Sequence, residues 1–176
     1  MNPAHILYEA ITNRDWGRGK DRSLIDDAQW RSAADALFAE GFGLCLAWKQ
    51  QDKISSFMQS ILDHIGAAVV LNRRTAKLQL FLIRDNYVVA DLPLFDEDSG
   101  LLSIEDDENA ASAPAANEII VTFTNPAAYG AKQQVRVQNT AAIVSAGGAI
   151  TETIDYLHLP TASLALRVAQ RVLREK

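Results

Sequence analysis

Residues 52–83 read DKISSFMQSILDHIGAAVVLNRRTAKLQLFLI, and this stretch decides the fold class. Ile54, Phe57, Met58, Ile61, Leu62 and Ile65 recur at the three- and four-residue steps of one helix face. Asp52 is placed to cap that helix. Gly66 is placed to end it, because a residue without a Cβ enters the left-handed conformation of a helix C-terminus at little cost. After Gly66 the texture changes. Residues 67–71 and 77–83 are strand-like apolar runs, and the short polar connection Asn72-Arg73-Arg74-Thr75-Ala76 joins them, which predicts a β-hairpin.

Towards the N-terminus the pattern is helical. Asn2-Pro3 is a good helix start: Asn caps open amides and Pro lacks the N–H that would need a partner. Ile6, Leu7, Ala10 and Ile11 follow at helical spacing, and the helix should fade near Asn13. Residues 14–22 hold two glycines and alternating charges and read as a loop. Asp26 or Asp27 caps a second helix with Trp30, Ala33, Ala34, Leu37 and Phe38 as its apolar stripe and Gly41 as its stop. Residues 43–49 read as a short strand.

Towards the C-terminus, Asp85-Asn86 reads as another turn, followed by Tyr87-Val88-Val89. Composition then shifts: Asp96-Glu97-Asp98, Glu105-Asp106-Asp107-Glu108 and an Ala/Pro-rich stretch mark an acidic connector, with at most a short strand at 101–103. Beyond it the texture is β, with candidate strands at 118–124, 133–138 and 150–156. Pro160-Thr161 opens a last helix carrying Leu164, Ala165, Val168, Ala169, Val172 and Leu173 on one face. The expected fold is α+β. A helix–helix–strand–helix–hairpin unit spans residues 1–92, an acidic connector 93–116, and an antiparallel β segment with a C-terminal helix 117–176.

Bulk properties narrow the function classes. The chain has 176 residues, and its 48% hydrophobic content can build a core, which excludes global disorder. A net charge of −5 argues against a general nucleic-acid binder, which shows a basic face. No apolar run approaches the ~20 residues of a membrane-spanning helix. Met1-Asn2-Pro3 leads straight into a helix, so no signal peptide is expected, and synthesis in a bacterial cytoplasm is. The one cysteine, Cys45, lies in the apolar run 44–48 and is expected to be a buried small hydrophobe.

Tests for chemistry find bland readings stronger than sharp ones. Gly17-Arg18-Gly19-Lys20 looks like a phosphate loop, but the required earlier glycine is Arg14 and no strand precedes it, so a turn is expected. Asp96-Glu97-Asp98-Ser99-Gly100 departs from the EF-hand pattern at Gly100 and Leu101. His5, His64 and His158 show no helical metal-ligand spacing, and His64 near a helix C-terminus fits a positive imidazole favoured by the dipole. The serines lack a nucleophile elbow. Asp26 and Asp27 could pair as acid and base, but capping is the simpler role. A hydrolase would have to rest on Asp26, Asp27, His64 or Cys45. Trp30 and Trp48 fit core packing. Trp16 in its polar loop is the least explained, and a glycan-binding module would have to use it. No metal and no cofactor is expected.

The opening run Asn2-Pro3-Ala4-His5-Ile6-Leu7-Tyr8-Glu9-Ala10-Ile11-Thr12-Asn13-Arg14-Asp15-Trp16-Gly17-Arg18-Gly19 resembles a segment of phage tail proteins of the hub and tip class, relatives of the lambda-type tip attachment protein and of gene-transfer-agent baseplate hubs. Later blocks resemble the same family: Asp26-Asp27 with Trp30-Arg31, Ala39-Glu40-Gly41-Phe42-Gly43, the helix from Ile54 to Gly66, Arg74-Thr75-Ala76-Lys77, and Asn117 to Asn125. The family more often has glycine at the position of Ala76. The resemblance implies a non-enzymatic structural part of a phage or prophage tail. In that family, tube-like barrels carry an inserted α/β domain, here residues 1–92, with 117–176 as part of a barrel whose unpaired strands offer edges to another chain. The implied partners are the distal tail protein, the tail tube and other hub regions, in a homo-oligomer that is by analogy a trimer. The implied location is the virion tail. Trp16, Arg18, Arg73 and Arg74 are the candidate interaction surface.

Overall fold

The computed structural model describes residues 1–47, 53–84, 88–92, 94 and 115–176. In chain order these form α1 (Pro3–Thr12), α2 (Asp27–Ala39), α3 (Ile54–Ile65), β1 (Ala67–Asn72), β2 (Lys77–Leu82), β3 (Glu118–Asn125), β4 (Ala131–Gln138), α4 (Thr140–Ala146), β5 (Thr151–Asp155) and α5 (Ala162–Arg174). The class is α+β, as the sequence predicts.

Helices α1, α2 and α5 start where short polar side chains bind open amides, whereas α3 starts after Lys53, which makes no side-chain cap bond. Asn2 Oδ1 accepts from the Ala4 N–H at 3.0 Å, Asp26 Oδ1 from Gln29 at 3.3 Å, and Thr161 Oγ1 from Leu164 at 3.3 Å. Asp26 is thus the cap of α2, and Asp27 is its first residue. Gly41 at φ 63° and Gly66 at φ 58° take left-handed conformations after α2 and α3. On α2 the buried stripe is Trp30, Ala33, Ala34 and Leu37. Phe38 was expected in that stripe but is 81% exposed, because one further residue turns it about 100° away from Leu37.

Strands β1 and β2 form the expected antiparallel hairpin, in register from Ala67↔Leu82 to Asn72↔Lys77. At the turn, Asn72 Oδ1 accepts from the backbone N–H of Arg74 (3.0 Å) and Thr75 (3.3 Å), and Ala76 closes it at φ 54°. Leu80 points inward and is fully buried.

Strands β3, β4 and β5 form an open sheet in the order β4-β3-β5. The expected antiparallel arrangement holds for β3 and β4, but β5 runs parallel to β3, so the sheet is mixed. The reason is α4, a helix the sequence reading did not include. It carries the chain across the end of the sheet from Gln138, opposite Glu118, to Thr151, also opposite Glu118. A seven-residue helix spans only about 10 Å, enough to cross the sheet end but not to return along a strand. Asn117 pins the crossing: its side chain donates to the Gly148 carbonyl (3.0 Å) and accepts from the Ile150 N–H (2.7 Å).

Residues 1–83 and 116–176 make one compact unit, and residues 84–115 a second. The first has a single hydrophobic core that includes Leu7, Ile11, Leu37, Ile61, Ile65 and Leu80 together with Ile119, Val121, Phe123, Leu159 and Val168. In the second, Val89–Asp91 form a 3-10 turn, and the expected turn at Asp85-Asn86 falls outside the described residues. The expected strand at 101–103, the Asp52 cap and the packing of Trp48 fall outside the described residues.

The expected strand at 43–49 does not form over its described part, residues 43–47, which pair with no strand. They are tied by isolated bonds instead: Leu44 N–H donates to the Met1 carbonyl and the Leu44 carbonyl accepts from the Met1 amino group, and Cys45 N–H donates to the His158 carbonyl, all at 2.9 Å. Cys45 is exposed, not buried as expected. The segment is extended, so successive side chains alternate sides, and Phe42 and Leu44 take the core positions.

Candidate functional site

The residues weighed for chemistry are held in structural bonds. Asp26 Oδ2 accepts from Gln79 Nε2 at 2.7 Å, and this bond, with the Gln29 amide, holds its carboxyl below the ordinary range. Asp27 Oδ1 accepts from the Tyr8 hydroxyl at 3.0 Å. The two acids therefore serve different partners. His64 is buried; its Nδ1 lies 2.6 Å from the Ser60 carbonyl and so carries the proton, and Nε2 accepts from the His158 backbone N–H at 3.4 Å. Burial pushes its pKa down to about 4, opposed by the Ser60 bond and assisted by His158 and Arg171. The imidazole is neutral, not the dipole-stabilised cation the sequence suggested. The task expected of it falls to Arg171, whose guanidinium donates to the carbonyls of Asp63 (3.1 Å) and His64 (3.2 Å) at the end of α3. Among the described residues no group of three or more His, Cys, Asp or Glu side chains is placed to hold a metal ion.

The loop from Asn13 to Lys20 is a helix cap. Arg18 N–H donates to the Ala10 carbonyl, Lys20 N–H to Ile11 and Gly19 N–H to Asn13, all at 2.9 Å. A Cβ on Gly17 would lie 2.6 Å from the Ala10 carbonyl oxygen, so only glycine lets the loop fold back over α1. The phosphate-loop likeness has this structural cause. Trp16 sits half-exposed on the loop, its N–H on Asn13 Oδ1 at 3.2 Å.

The loop delivers Arg18 and Lys20 to the rim of an open groove of about 510 Å³. Its walls come from α3 through Met58 and Leu62 and from the inward face of the hairpin through Val69, Leu71 and Leu78. Leu71 shares the inward face with Leu80 yet is 58% exposed, so the hairpin overhangs its core at the tip. Arg73 and Arg74 lie exposed at that tip. Of the candidate residues, the structure places Arg18 in the groove wall, Arg73 and Arg74 on the adjoining hairpin turn, and Trp16 outside the wall. On the outward face of the hairpin, Val70, Phe81 and Ile83 are also exposed. A near-continuous apolar run does not show which of its two faces is covered, so the sequence did not single these out.

One buried acid was also missed. Glu118, in the central strand, accepts from Thr151 Oγ1 (2.7 Å) on β5 and from Arg136 (2.6 Å) and Gln138 on β4. These bonds, the Thr151 hydroxyl first, hold its carboxyl below the ordinary range. Its opposition to Arg136, Gln138 and Thr151 depends on the register of three strands, which no local spacing reveals.

Among the described residues no helix is long and apolar enough to cross a membrane. No curated protein matches the chain. The family described as "putative phage tail protein" matches residues 53–176, well over half of the chain and the part that holds α3, the hairpin, the mixed sheet and α5. The opening segment that first suggested the resemblance lies before the matched residues. The chain belongs to this phage tail protein family.

Proposed function

We propose that the chain is a structural subunit of the hub or tip of a phage or prophage tail, located in the virion tail and acting through contacts with other tail proteins in an oligomeric assembly rather than through catalysis. The hairpin carries this reading: it exposes Val70, Phe81 and Ile83 on its outward face and Leu71 on its inward face, with Arg73 and Arg74 at its tip and Arg18 in the groove beside Leu71. Exposed apolar surface of this kind rimmed by polar residues marks a protein contact site. Family membership supplies the assembly in which such contacts are made. Of the residues on which a hydrolase would have to rest, Asp26, Asp27 and His64 are engaged in capping and packing, and Cys45 is exposed. The test is deletion of the gene from its phage or prophage, with electron microscopy of the particles and gold-labelled antibody on wild type. The expected result is tails that fail to assemble or infect, and label at the distal end of wild-type tails. Infectious particles of normal form from the deletion, or label along the tube or head, would overturn it.

A further inference from the structure

The two outer edges of the hairpin are treated differently. Ile83 N–H donates to the Gly66 carbonyl at 2.9 Å. Alternation along an antiparallel pair then makes 68/81, 70/79 and 72/77 the mutually bonded pairs, and turns the backbone groups of residues 78 and 80 on β2, and of 67, 69 and 71 on β1, away from the hairpin. On β2 these groups are sealed by α2. Leu80 N–H donates to Gln29 Oε1 at 2.7 Å and the Leu80 carbonyl accepts from Gln29 Nε2 at 2.5 Å. The Leu78 carbonyl accepts from the Trp30 indole at 3.1 Å and from the Asp26 N–H at 3.0 Å. On β1, the outward groups of Ala67, Val69 and Leu71 have no partner among the described residues.

An open edge is usually defended by charge or by proline. The outer edge of β4 follows that rule with Lys132 and Arg136. Strand β1, with the sequence AAVVLN, carries neither. Its inward side chains Val69 and Leu71 wall the groove, whose lining contains two cations, Arg18 and Lys20, and no carboxylate. Neither cation makes an ion pair among the described residues. Main-chain valence, apolar floor and uncompensated positive charge thus coincide at one place.

The geometry points to strand addition at β1 by a different tail polypeptide. The added segment is extended, with apolar side chains at alternate positions that enter the groove and an Asp or Glu within reach of Arg18 and Lys20. Backbone pairing with Val69 and Leu71 supplies affinity, and the groove and its two cations supply selectivity. The inference rests on the proposed role in tail assembly and names the kind of partner.

The test replaces the groove-wall residue Leu24 with the photoreactive amino acid p-benzoylphenylalanine in the full chain, in the producing host, and irradiates purified tails. The expected result is an adduct with a second kind of tail polypeptide, at a peptide of alternating apolar residues with a carboxylate nearby. Adding Leu71→Lys, which defends the edge, or Arg18→Glu with Lys20→Glu, should cut adduct yield about tenfold or more. Retained melting temperature of each purified variant shows that the fold is intact; a variant that fails this check is replaced by Val69→Lys at the same edge. Tails that contain the chain but give no adduct, an adduct only within this chain or with a second copy, or a yield unmoved by the charge reversal would overturn the inference and leave the proposed function standing. Absence of the chain from purified tails would overturn both.

Discussion

At the residue scale, two positions with positive φ make opposite demands. Gly66 sits at φ 58°, and a Cβ there would meet the Arg171 guanidinium carbon at 2.7 Å. Gly66→Ala therefore strains the backbone and displaces the cap of α3, a loss of about 2 kcal/mol. Ala76 already carries a Cβ at φ 54°, so Ala76→Gly should stabilise by about 0.5–1 kcal/mol. Urea unfolding of both variants checks the pair, and equal signs would refute the left-handed geometry at one of them. His64 makes the pH prediction. Its folded pKa of about 4 lies below the ordinary 6.5, so the unfolded chain binds the extra proton between those values. The stability that neutral His64 contributes is complete above pH 6.5, falls as pH drops towards 4, and is flat below, with a total of about 3 kcal/mol. Glu118, held below its ordinary range, adds a second loss at lower pH still. Unfolding midpoints measured from pH 7.5 to 4 should show the first window in the wild type and a smaller one in His64→Gln, where His158, also held below its ordinary range by burial, still contributes.

At the element scale, what could be read along the chain was what local chemistry decides. The Asn2-Pro3 start, the stop at Gly66, the hairpin over 67–83 and the last helix depend on neighbours within a few residues, and all are present. What escaped depends on distant partners. Residues 44–46 have strand-like composition, but a strand needs a row of partners and these meet isolated backbone groups of Met1 and His158. The helix α4 is short, polar at Asn139 and without a buried residue, so it has no apolar stripe to announce it. The candidate site was legible only in its cations. The groove beneath Leu71 and the open edge of β1 exist because α2 seals β2, and nothing in residues 67–82 refers to Gln29. That seal can be tested by itself. Gln29→Ala leaves the N–H and carbonyl of fully buried Leu80 without partners, a cost of about 2 kcal/mol. The same change opens a second sheet edge, so size-exclusion chromatography should show concentration-dependent association absent in wild type. A variant as stable and as monodisperse as wild type would show that Gln29 does not hold the edge.

At the scale of the compact unit formed by residues 1–83 and 116–176, the chain is closed by its last helix. The apolar side of α5 packs on the mixed sheet through residues such as Ala165, Val168 and Val172, while two arginines one turn apart reach back across the sequence. Arg167 donates to the Glu40 carbonyl at the end of α2 (2.6 Å), and Arg171 to the end of α3. One helix therefore supplies the C-terminal caps of two others, and His158 meets both Cys45 and His64 beside them. Because the core is a single cluster, neither segment buries its apolar face without the other, and the two should unfold together. Native-state hydrogen exchange checks this by comparing the amides of Leu80 in β2 and Val121 in β3. Both should open with the same free energy in wild type. Removing both arginine caps with Arg167→Ala and Arg171→Ala should lower the two by the same amount, about 2 kcal/mol in total. Exchange of Val121 that stays fixed while that of Leu80 accelerates would mean that the mixed sheet with α5 is an independent folding unit. The hairpin would then be an appendage whose orientation the sheet does not control. Joint loss would mean that strain applied to the β1 edge, by a partner strand or by substitution, is felt as far away as β3.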